Sequence, residues 1–308
     1  MKIDELIRNI QLEINKTQKT KDNVAKLTRL HDIMRVYNGD DKLVSFEEIG
    51  EKLRNQPEDT KLMTGWNGFD DLLGGFRLKQ VVAVSALTKS GKTSWLMDLT
   101  TRWKEHNPLW FPYEEGAEEL MQKFIERNEP VPHGYAPIYA KGGQMEWIEM
   151  KIVESIAKYG TQVVFIDQLD FIVPLGGDNH SLRVGQAMRE LKGLAKKWNV
   201  LIFIICHLVK AKMDVQPTLE DLKGSSSIGQ EADTVILLWR EMGRENGQVN
   251  ITNNVNISVQ ANRRTGKTGN IKMVYDNGHF LEKEWKNYKD ESLDNYVEDI
   301  LTAERKPR

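Results

Sequence analysis

The stretch "SALTKSGKTSW" (residues 85–95) directly follows the apolar run "VVAV" (81–84). A first residue, four variable residues and then Gly-Lys-Thr form the pattern of a phosphate-binding loop between a strand and a helix. Ala86 stands where this pattern usually begins with glycine. The first position only closes a turn, so we expect alanine to be tolerated there if its φ angle is negative.

This loop predicts a site for a nucleoside triphosphate and Mg²⁺. Backbone N–H groups of the loop and of the helix that follows surround the phosphates, and Gly91 lets the backbone come close. Lys92 places a cation on the phosphates, and the Thr93 hydroxyl binds Mg²⁺. The nucleotide is expected to contact Ala86, Leu87, Thr88, Lys89, Ser90, Gly91, Lys92, Thr93 and Ser94. The alternative is a chance Gly-Lys-Thr at a strand–helix junction.

An acidic residue that completes the Mg²⁺ site is predicted at the end of another buried strand. In "VVFID" (163–167), four apolar residues precede Asp167. The carboxyl ends of strands are where open α/β sheets bind ligands, so Asp167 is expected to hold Mg²⁺ together with Thr93. The alternative is that Asp167 caps a turn, and Asp170 is a weaker candidate for the metal.

Hydrolysis also needs a group that orients or deprotonates water. The stretch "PLWFPYEEG" (108–116) ends a predicted strand with Glu114 and Glu115. We interpret Glu114 as the base. Glu115 is expected to cap the helix that starts "GAEELMQ", because acidic residues are favoured at a helix N-terminus.

Composition limits the class of protein. The net charge of the 308 residues is −2, so any nucleic-acid binding must come from local basic patches. Cys206 is the one cysteine, which excludes a disulfide within the chain and favours a reducing compartment. No apolar run approaches the roughly 18 residues of a membrane span, and the start lacks a signal-peptide pattern. We therefore expect a cytoplasmic protein with no membrane partner.

From Thr64 onward, short apolar strands alternate with helical segments. The predicted strands are "VVAVSA" (81–86), "PLWFPY" (108–113), "TQVVFIDQ" (161–168), "NVLIFIICH" (199–207), "DTVILLW" (233–239) and "NVNISVQAN" (254–262). The predicted helices between them are 92–105, 117–127, 145–159 and 181–198. This alternation predicts an α/β fold with a mostly parallel, twisted sheet flanked by helices, and the last strands are expected to be antiparallel.

Three domains are predicted from the change in composition. Residues 1–60 form a helical N-terminal arm, in which Ser45 and Glu48 fit a capping box that opens a short helix to about Asn55. Residues 61–288 form the ATPase domain, and 289–308 form a polar tail. The arm has too few large apolar residues for its own core, so it is expected to pack on its own domain or on a neighbouring subunit.

Together these motifs resemble the RecA-type ATPase domain of DnaB-like, superfamily 4 replicative DNA helicases. The resemblance covers about 64–285 and rests mainly on "FPYEEGAEELMQKF" (111–124), "VVFIDQLDFI" (163–172) and "PTLEDLKGSSSIGQEADTVILLWRE" (217–241). It implies a RecA-like P-loop NTPase core, a loop that also begins with alanine in this family, and Glu114 as the base.

The resemblance further implies residues that sense or complete the nucleotide site. His207 stands at the sensor position, where the family usually has glutamine. "NRRTGKTG" (262–269) resembles the arginine-finger segment, in which Arg263 is favoured and Arg264 is the candidate in the other register. A finger that acts on the neighbour's nucleotide implies a homo-oligomer, in this family a hexameric ring. A lysine common in the family is replaced by Ala261 or Asn262, and Lys267 is a possible substitute.

Single-stranded DNA is the partner that the resemblance implies, held by loops that face a central channel. Two loops fit, 174–183 and 209–227, and phosphate contacts there would give binding without sequence specificity. The predicted DNA contacts are Lys210, Lys223, Gly224, Ser225 and Ser226. The alternative is that these lysines are ordinary solvated charges.

The predicted function is that of an ATP-dependent helicase that translocates on single-stranded DNA as a ring during replication, with a primase or a loader as further partners. The resemblance favours a bacterial cell or a phage-infected one. Two alternatives stay open: a recombinase-like DNA-dependent ATPase that forms filaments, and an ATP-binding accessory protein that binds DNA without unwinding it.

Overall fold

The computed structural model describes residues 42–283 with gaps at 56–59, 88–89, 128–129, 143–144, 174–178, 209–214, 223–224 and 246–247, and also positions 8, 9, 12 and 33. The chain divides into two units, Met1–Glu58 and Asp59–Arg308. The predicted helical arm 1–60 and tail 289–308 lie largely or wholly outside the described residues, so these domain boundaries stay predictions.

The helices of the described residues are α1 (Phe46–Asn55), α2 (Asn67–Leu73), α3 (Lys92–Arg102), α4 (Ala117–Glu126), α5 (Met145–Tyr159), α6 (His180–Trp198) and α7 (Ser225–Glu231). The strands are β1 (Lys61–Leu62), β2 (Phe76–Arg77), β3 (Val81–Ala86), β4 (Leu109–Pro112), β5 (Val163–Asp167), β6 (Leu201–Cys206), β7 (Thr234–Glu245), β8 (Gln248–Asn262), β9 (Gly269–Asp276) and β10 (His279–Glu282). The four predicted helices agree with α3 to α6 to within three residues at each end.

The central sheet has eight strands in the order β10-β9-β8-β7-β3-β6-β5-β4. The strands from β4 to β7 along this order are parallel, whereas β8, β9 and β10 pair antiparallel with their neighbours. The predicted α/β fold with a mostly parallel sheet and antiparallel last strands is therefore confirmed. In this arrangement the carboxyl ends of β3, β4, β5 and β6 lie at one edge of the sheet.

The core lies on both faces of this sheet, because successive strand residues point to opposite sides. In β3, Val82 and Val84 pack on one face with Trp95 of α3 and Phe124 of α4. On the other face, residues of β5 and β6 pack with α5 and α6, where Met188 is fully buried. Strands that are buried on both faces read as continuous apolar runs, which is why their positions were predictable.

The hairpin of β9 and β10 was not predicted. Its strands are short and only partly apolar: in β9 buried and exposed residues alternate, and β10 has four residues. Asn277 and Gly278 form the turn with φ angles of 46° and 92°. Asn-Gly between two strands is a strong hairpin signal, so this turn was the available clue in the sequence.

In the N-terminal unit, α1 begins directly after Ser45, whose hydroxyl accepts a hydrogen bond from Glu48 N at 3.1 Å. The predicted helix start at Ser45 and end at Asn55 are confirmed. The part of the predicted helical arm that precedes residue 42 falls almost entirely outside the described residues. Within the described part of the chain, no helix combines the length and the apolar character needed to cross a membrane.

Candidate nucleotide-binding site

The candidate site is an open cleft at the carboxyl edge of the parallel strands. Side chains from the loop after β3, from the end of β4 and from the end of β6 line it. The lining residues are Gly91, Lys92, Thr93, Ser94, Glu114, Glu115, Lys123, His207, Arg240 and Tyr275. The sequence-predicted residues on α3 and after β4 and β6 are therefore brought together.

The phosphate-binding loop has the conformation that its sequence requires. Ala86 is the last residue of β3 and is not among the described residues with a positive φ angle, so the condition for alanine at this position is met. Gly91 has a φ angle of 88°, and a Cβ atom there would stand 2.9 Å from Phe280 Cζ. Glycine is therefore required at 91 both by conformation and by space. Thr88 and Lys89 lie outside the described residues.

The two predicted metal ligands are in direct contact. Thr93 Oγ1 donates a hydrogen bond to Asp167 Oδ2 at 2.9 Å, and Asp167 is 3% exposed. Its other oxygen, Oδ1, is buried without a hydrogen-bond partner among the described residues. A hydroxyl and a carboxylate with an unused buried oxygen are ligands that Mg²⁺ prefers, so the residues present fit this ion.

Burial controls the electrostatics of this site. It raises the pKa of Asp167 to about 6, and the nearby carboxylates of Glu114 and Glu115 act in the same direction. The pKa of Lys92 is lowered, mainly by burial, although Asp167 and Glu114 partly offset this. Lys92 Nζ lies 3.4 Å from Ala86 O, inside the loop. A cation beside Asp167 or a phosphate beside Lys92 would therefore favour the charged form of each group.

The two neighbouring glutamates have different surroundings. Glu115 forms an ion pair with Lys123 of α4. It does not cap that helix: Gly116 occupies the N-cap position without a side-chain hydrogen bond, so the prediction of Glu115 as a cap was wrong. Glu114 is exposed to the cleft, and its carboxylate has no hydrogen bond or ion pair within the described part of the chain. Glu114 is therefore the carboxylate available to a water molecule.

His207 lines the cleft and lies near a second histidine. His207 Nε2 is 3.9 Å from Asp170 Oδ2, and His180 Nε2 is 3.9 Å from Asp170 Oδ1. Asp170 lies in a short 3₁₀ turn after β5, between these two rings. His207 therefore has a carboxylate nearby at the end of β6, at a distance too long for a hydrogen bond.

Two cleft residues were missed by sequence reasoning. Arg240 of β7 and Tyr275 of β9 line the cleft, with the guanidinium 5.0 Å from the centre of the tyrosine ring. Arg240 also donates hydrogen bonds to Thr252 O and Asn253 Oδ1, which hold it in place. Neither residue belongs to a local motif, so only the pairing of the antiparallel strands reveals them.

The two adjacent arginines after β8 differ. Arg264 Nη2 donates a hydrogen bond to Leu73 O at the end of α2, and Arg264 does not line the cleft of its own chain. Arg263 donates only its backbone N–H, to Asp233 O at 2.9 Å, and its guanidinium is exposed without a partner within the described residues. Arg263 is therefore the arginine that is available to another molecule.

The predicted DNA contacts are only partly described. Lys210, Lys223 and Gly224 lie outside the described residues. Ser225 begins α7 and Ser226 is exposed beside it. The DNA-binding residues therefore stay a prediction.

Comparisons with known proteins found similar helicases. Residues 136–282 match the family model described as the DnaB-like helicase C-terminal domain. The replicative DNA helicase DnaB of Haemophilus influenzae is 24% identical over 76% of this chain and 57% of its own length. The replicative DNA helicase DnaC of Bacillus subtilis is 25% identical over 76% of this chain and 59% of its own length. The chain thus spans less than two thirds of these relatives.

Solved structures give the same fold. One is described as a DnaB-like replicative helicase and its interactions with primase, with a TM-score of 0.65, 18% identity, and coverage of 91% of this chain and 76% of that one. Another is described as an ATPase domain, also with a TM-score of 0.65 and 18% identity, covering 78% of this chain and 99% of that one. In sequence over residues 136–282, and in fold, the chain is therefore similar to the C-terminal domain of DnaB-like helicases, and the fold is RecA-like.

Proposed function

We propose that this chain is the ATP-hydrolysing subunit of a DnaB-like replicative helicase that translocates on single-stranded DNA as a ring. One observation carries the proposal. The Thr93–Asp167 pair, with a buried unpaired carboxylate oxygen, shares a cleft edge with Lys92 and with the unpaired carboxylate of Glu114. A phosphate-binding loop, a metal-binding pair and a free base are the parts that hydrolysis of a nucleoside triphosphate requires.

Each residue has a distinct part in this chemistry. The backbone of the loop and Lys92 bind the phosphates, while Thr93 and Asp167 hold Mg²⁺, which neutralises phosphate charge when bound. Glu114 orients a water molecule and accepts its proton as the water attacks the γ-phosphate. His207, which lines the same cleft, is proposed to form a hydrogen bond to the γ-phosphate. Arg263 of a neighbouring subunit stabilises the charge that develops on the transferred phosphoryl group.

The rim of the cleft is suited to the nucleotide base. The ring of Tyr275 offers a flat apolar surface, and Arg240 lies over that ring. Bases stack on aromatic rings and on guanidinium groups without needing a specific hydrogen-bond pattern. Tyr275 and Arg240 are therefore expected to bind the base of ATP.

Single-stranded DNA is the proposed substrate track, and a primase is a proposed partner in view of the solved relative that is described with one. Lys210, Lys223, Gly224, Ser225 and Ser226 are proposed to contact the DNA phosphates. A cytoplasmic location follows from this function.

A helicase assay on purified protein tests the proposal. ATP hydrolysis is expected to rise when single-stranded DNA is added, a forked duplex is expected to be unwound, and electron microscopy with ATP is expected to show closed rings. Filaments on DNA would instead favour the recombinase-like alternative. DNA binding without unwinding, and with hydrolysis unaffected by DNA, would favour the accessory protein.

A further inference from the structure

The hairpin of β9 and β10 packs directly beneath the phosphate-binding loop. Phe280 of β10 is fully buried, and its Cζ atom is 2.9 Å from the place where a Cβ atom on Gly91 would stand. Tyr275 Cε2 lies 3.9 Å from the same point. The ring of Phe280 therefore fills the space that the glycine of the loop leaves open.

The backbone of Phe280 is held on both sides. Its N–H donates a hydrogen bond to Asp98 Oδ2 at 2.7 Å, and its carbonyl oxygen accepts one from Trp66 Nε1 at 3.0 Å. Asp98 belongs to α3, the helix that the loop leads into. Trp66 stacks on Trp95 of the same helix, with ring centres 6.0 Å apart. Phe280 thus has little freedom to move relative to the loop.

A buried ionic cluster extends this attachment to a third element. Asp98 accepts hydrogen bonds from Arg127 Nη1 at 2.9 Å and His279 Nδ1 at 3.1 Å. Arg127 follows α4 and also donates to Ser94 O at 2.8 Å, in the first turn of the loop helix. Arg127 and Asp98 side chains are 6% and 5% exposed, so solvent does not screen this pair. The β9–β10 hairpin, α3 and α4 are therefore joined at this cluster.

We propose that Phe280 is a positioning residue for nucleotide binding. Asp98 and Trp66 hold its backbone in place, and its ring then holds the phosphate-binding loop in the shape that accepts phosphate. The proposal rests on the proposed function, since it assumes that this loop binds ATP. It goes beyond that function because Phe280 does not line the cleft and belongs to none of the motifs that carry the chemistry. Without the ring, the loop would adopt conformations that cannot bind phosphate for part of the time. The apparent affinity would then be the parent affinity multiplied by the fraction of molecules whose loop can still bind.

Binding of Mg·ATP and of inorganic pyrophosphate with Mg²⁺ to the Phe280→Leu variant, measured by calorimetry, tests this proposal. Pyrophosphate lacks the base, so it reports on the loop and not on Tyr275 or Arg240. If the loop is binding-competent about one tenth of the time, both ligands bind about tenfold more weakly than to the parent. If the leucine variant does not fold, Phe280→Met is measured instead. Methionine has a flexible side chain that fills irregular space, and the same direction of change in affinity is expected.

Phe76→Leu is the matched control. Phe76 is a buried aromatic residue of the same cluster, and its ring packs on Trp103 and Phe203 rather than on the loop. Both variants are expected to melt at a lower temperature, but only Phe280→Leu is expected to lose affinity. Equal affinity in the two variants, or a loss for ATP alone, would overturn the positioning role while leaving the proposed function intact. A parent protein that binds neither ligand would overturn both.

Discussion

The two halves of the central sheet reach the nucleotide cleft in different ways. The parallel strands β3, β4, β5 and β6 end at the cleft, and the residues at or just after their carboxyl ends line or underlie it, including Lys92, Glu114 and Asp167. Strand β7, which is parallel to β3 but pairs antiparallel with β8, and the antiparallel strands β8 to β10 form the other half, here called the antiparallel half. It contributes side chains from the faces of its strands, among them Arg240 and Tyr275.

This difference separates chemistry from shape. The parallel half concentrates charged groups whose pKa values are displaced by burial, as for Asp167 and Lys92. The antiparallel half supplies the flat ring of Tyr275, which we propose binds the base, and Phe280, which packs beneath the loop. We therefore expect changes in the parallel half to stop turnover, and changes around Tyr275 and Phe280 to weaken binding. Arg263, in the turn between β8 and β9, is the exception, because we propose that it acts on the nucleotide of a neighbouring subunit.

The largest effect is expected for Arg263→Ala. If this guanidinium completes the neighbour's site, its loss lowers kcat by a factor of about 10³ or more. Arg264→Ala is the matched control in the adjacent position, because Arg264 is bound to Leu73 O within its own chain. Its expected defect is in thermal stability, with kcat near that of the parent. Steady-state ATP hydrolysis by the two variants measures the contrast.

Mixing inactive variants extends this test. Arg263→Ala subunits keep an intact phosphate-binding loop, whereas Lys92→Ala subunits keep an intact Arg263. In mixed oligomers, some subunit boundaries therefore pair an intact loop with an intact Arg263. Partial recovery of ATP hydrolysis is expected on mixing. A lack of recovery at every ratio, in subunits shown to assemble together, would mean that the finger acts within its own chain.

A smaller effect is expected for Tyr275→Ala. Loss of one base-stacking surface costs roughly 1–3 kcal/mol, so KM for ATP is expected to rise about tenfold with little change in kcat. Tyr275→Phe keeps the ring and is expected to retain a KM close to that of the parent. A fall in kcat without a change in KM for ATP would show that Tyr275 does not bind the base.

The smallest effect concerns stability and pH. Burial raises the pKa of Asp167 from the usual 3.8 to about 6, so the nucleotide-free folded state binds more protons than the unfolded state between these values. This carboxyl therefore contributes stability below pH 4, and that contribution is lost as the pH rises through 6. At about 1.4 kcal/mol per pKa unit, the ionised group costs roughly 3 kcal/mol at neutral pH.

Asp167→Asn is accordingly expected to raise the melting temperature of the nucleotide-free protein at pH 7.5 by several degrees. The gain is expected to disappear near pH 4, where the parent carboxyl is protonated. Thermal melts at the two pH values measure this. A variant that is less stable than the parent at pH 7.5 would show that Asp167 is already well stabilised without a metal ion.

Much of the fold was predictable because buried parallel strands are continuous apolar runs, as in "VVAV" (81–84) and "LIFIIC" (201–206). The β9–β10 hairpin escaped prediction because its strands are half exposed, and only the Asn277-Gly278 turn marked it. The sequence also did not predict which side chains form pairs when they are several residues apart along the chain. The ion pair of Glu115 with Lys123 shows this, since a sequence rule based on the helix dipole favoured a cap instead.

The residues of the candidate site also differ in whether the sequence could predict them. Lys92 and Thr93 are fixed by a local motif, and Asp167 by the end of a strand, so their nearness to one another could be inferred. Arg240 and Tyr275 are 35 positions apart on different strands and meet only through the pairing of β7, β8 and β9. No spacing rule links such residues, because their contact is set by register rather than by separation along the chain.

The most direct test of the account compares Glu114→Gln with Glu115→Gln. Each change removes one negative charge from neighbouring positions, but only Glu114 faces the cleft unpaired within the described residues, while Glu115 is held by Lys123. ATP binding and single-turnover hydrolysis are measured on both variants. Glu114→Gln is expected to bind ATP like the parent and to lose hydrolysis by a factor of about 10² or more, whereas Glu115→Gln is expected to hydrolyse ATP at close to the parent rate. Hydrolysis by Glu114→Gln at the parent rate would contradict the assignment of the base on which the proposed function depends.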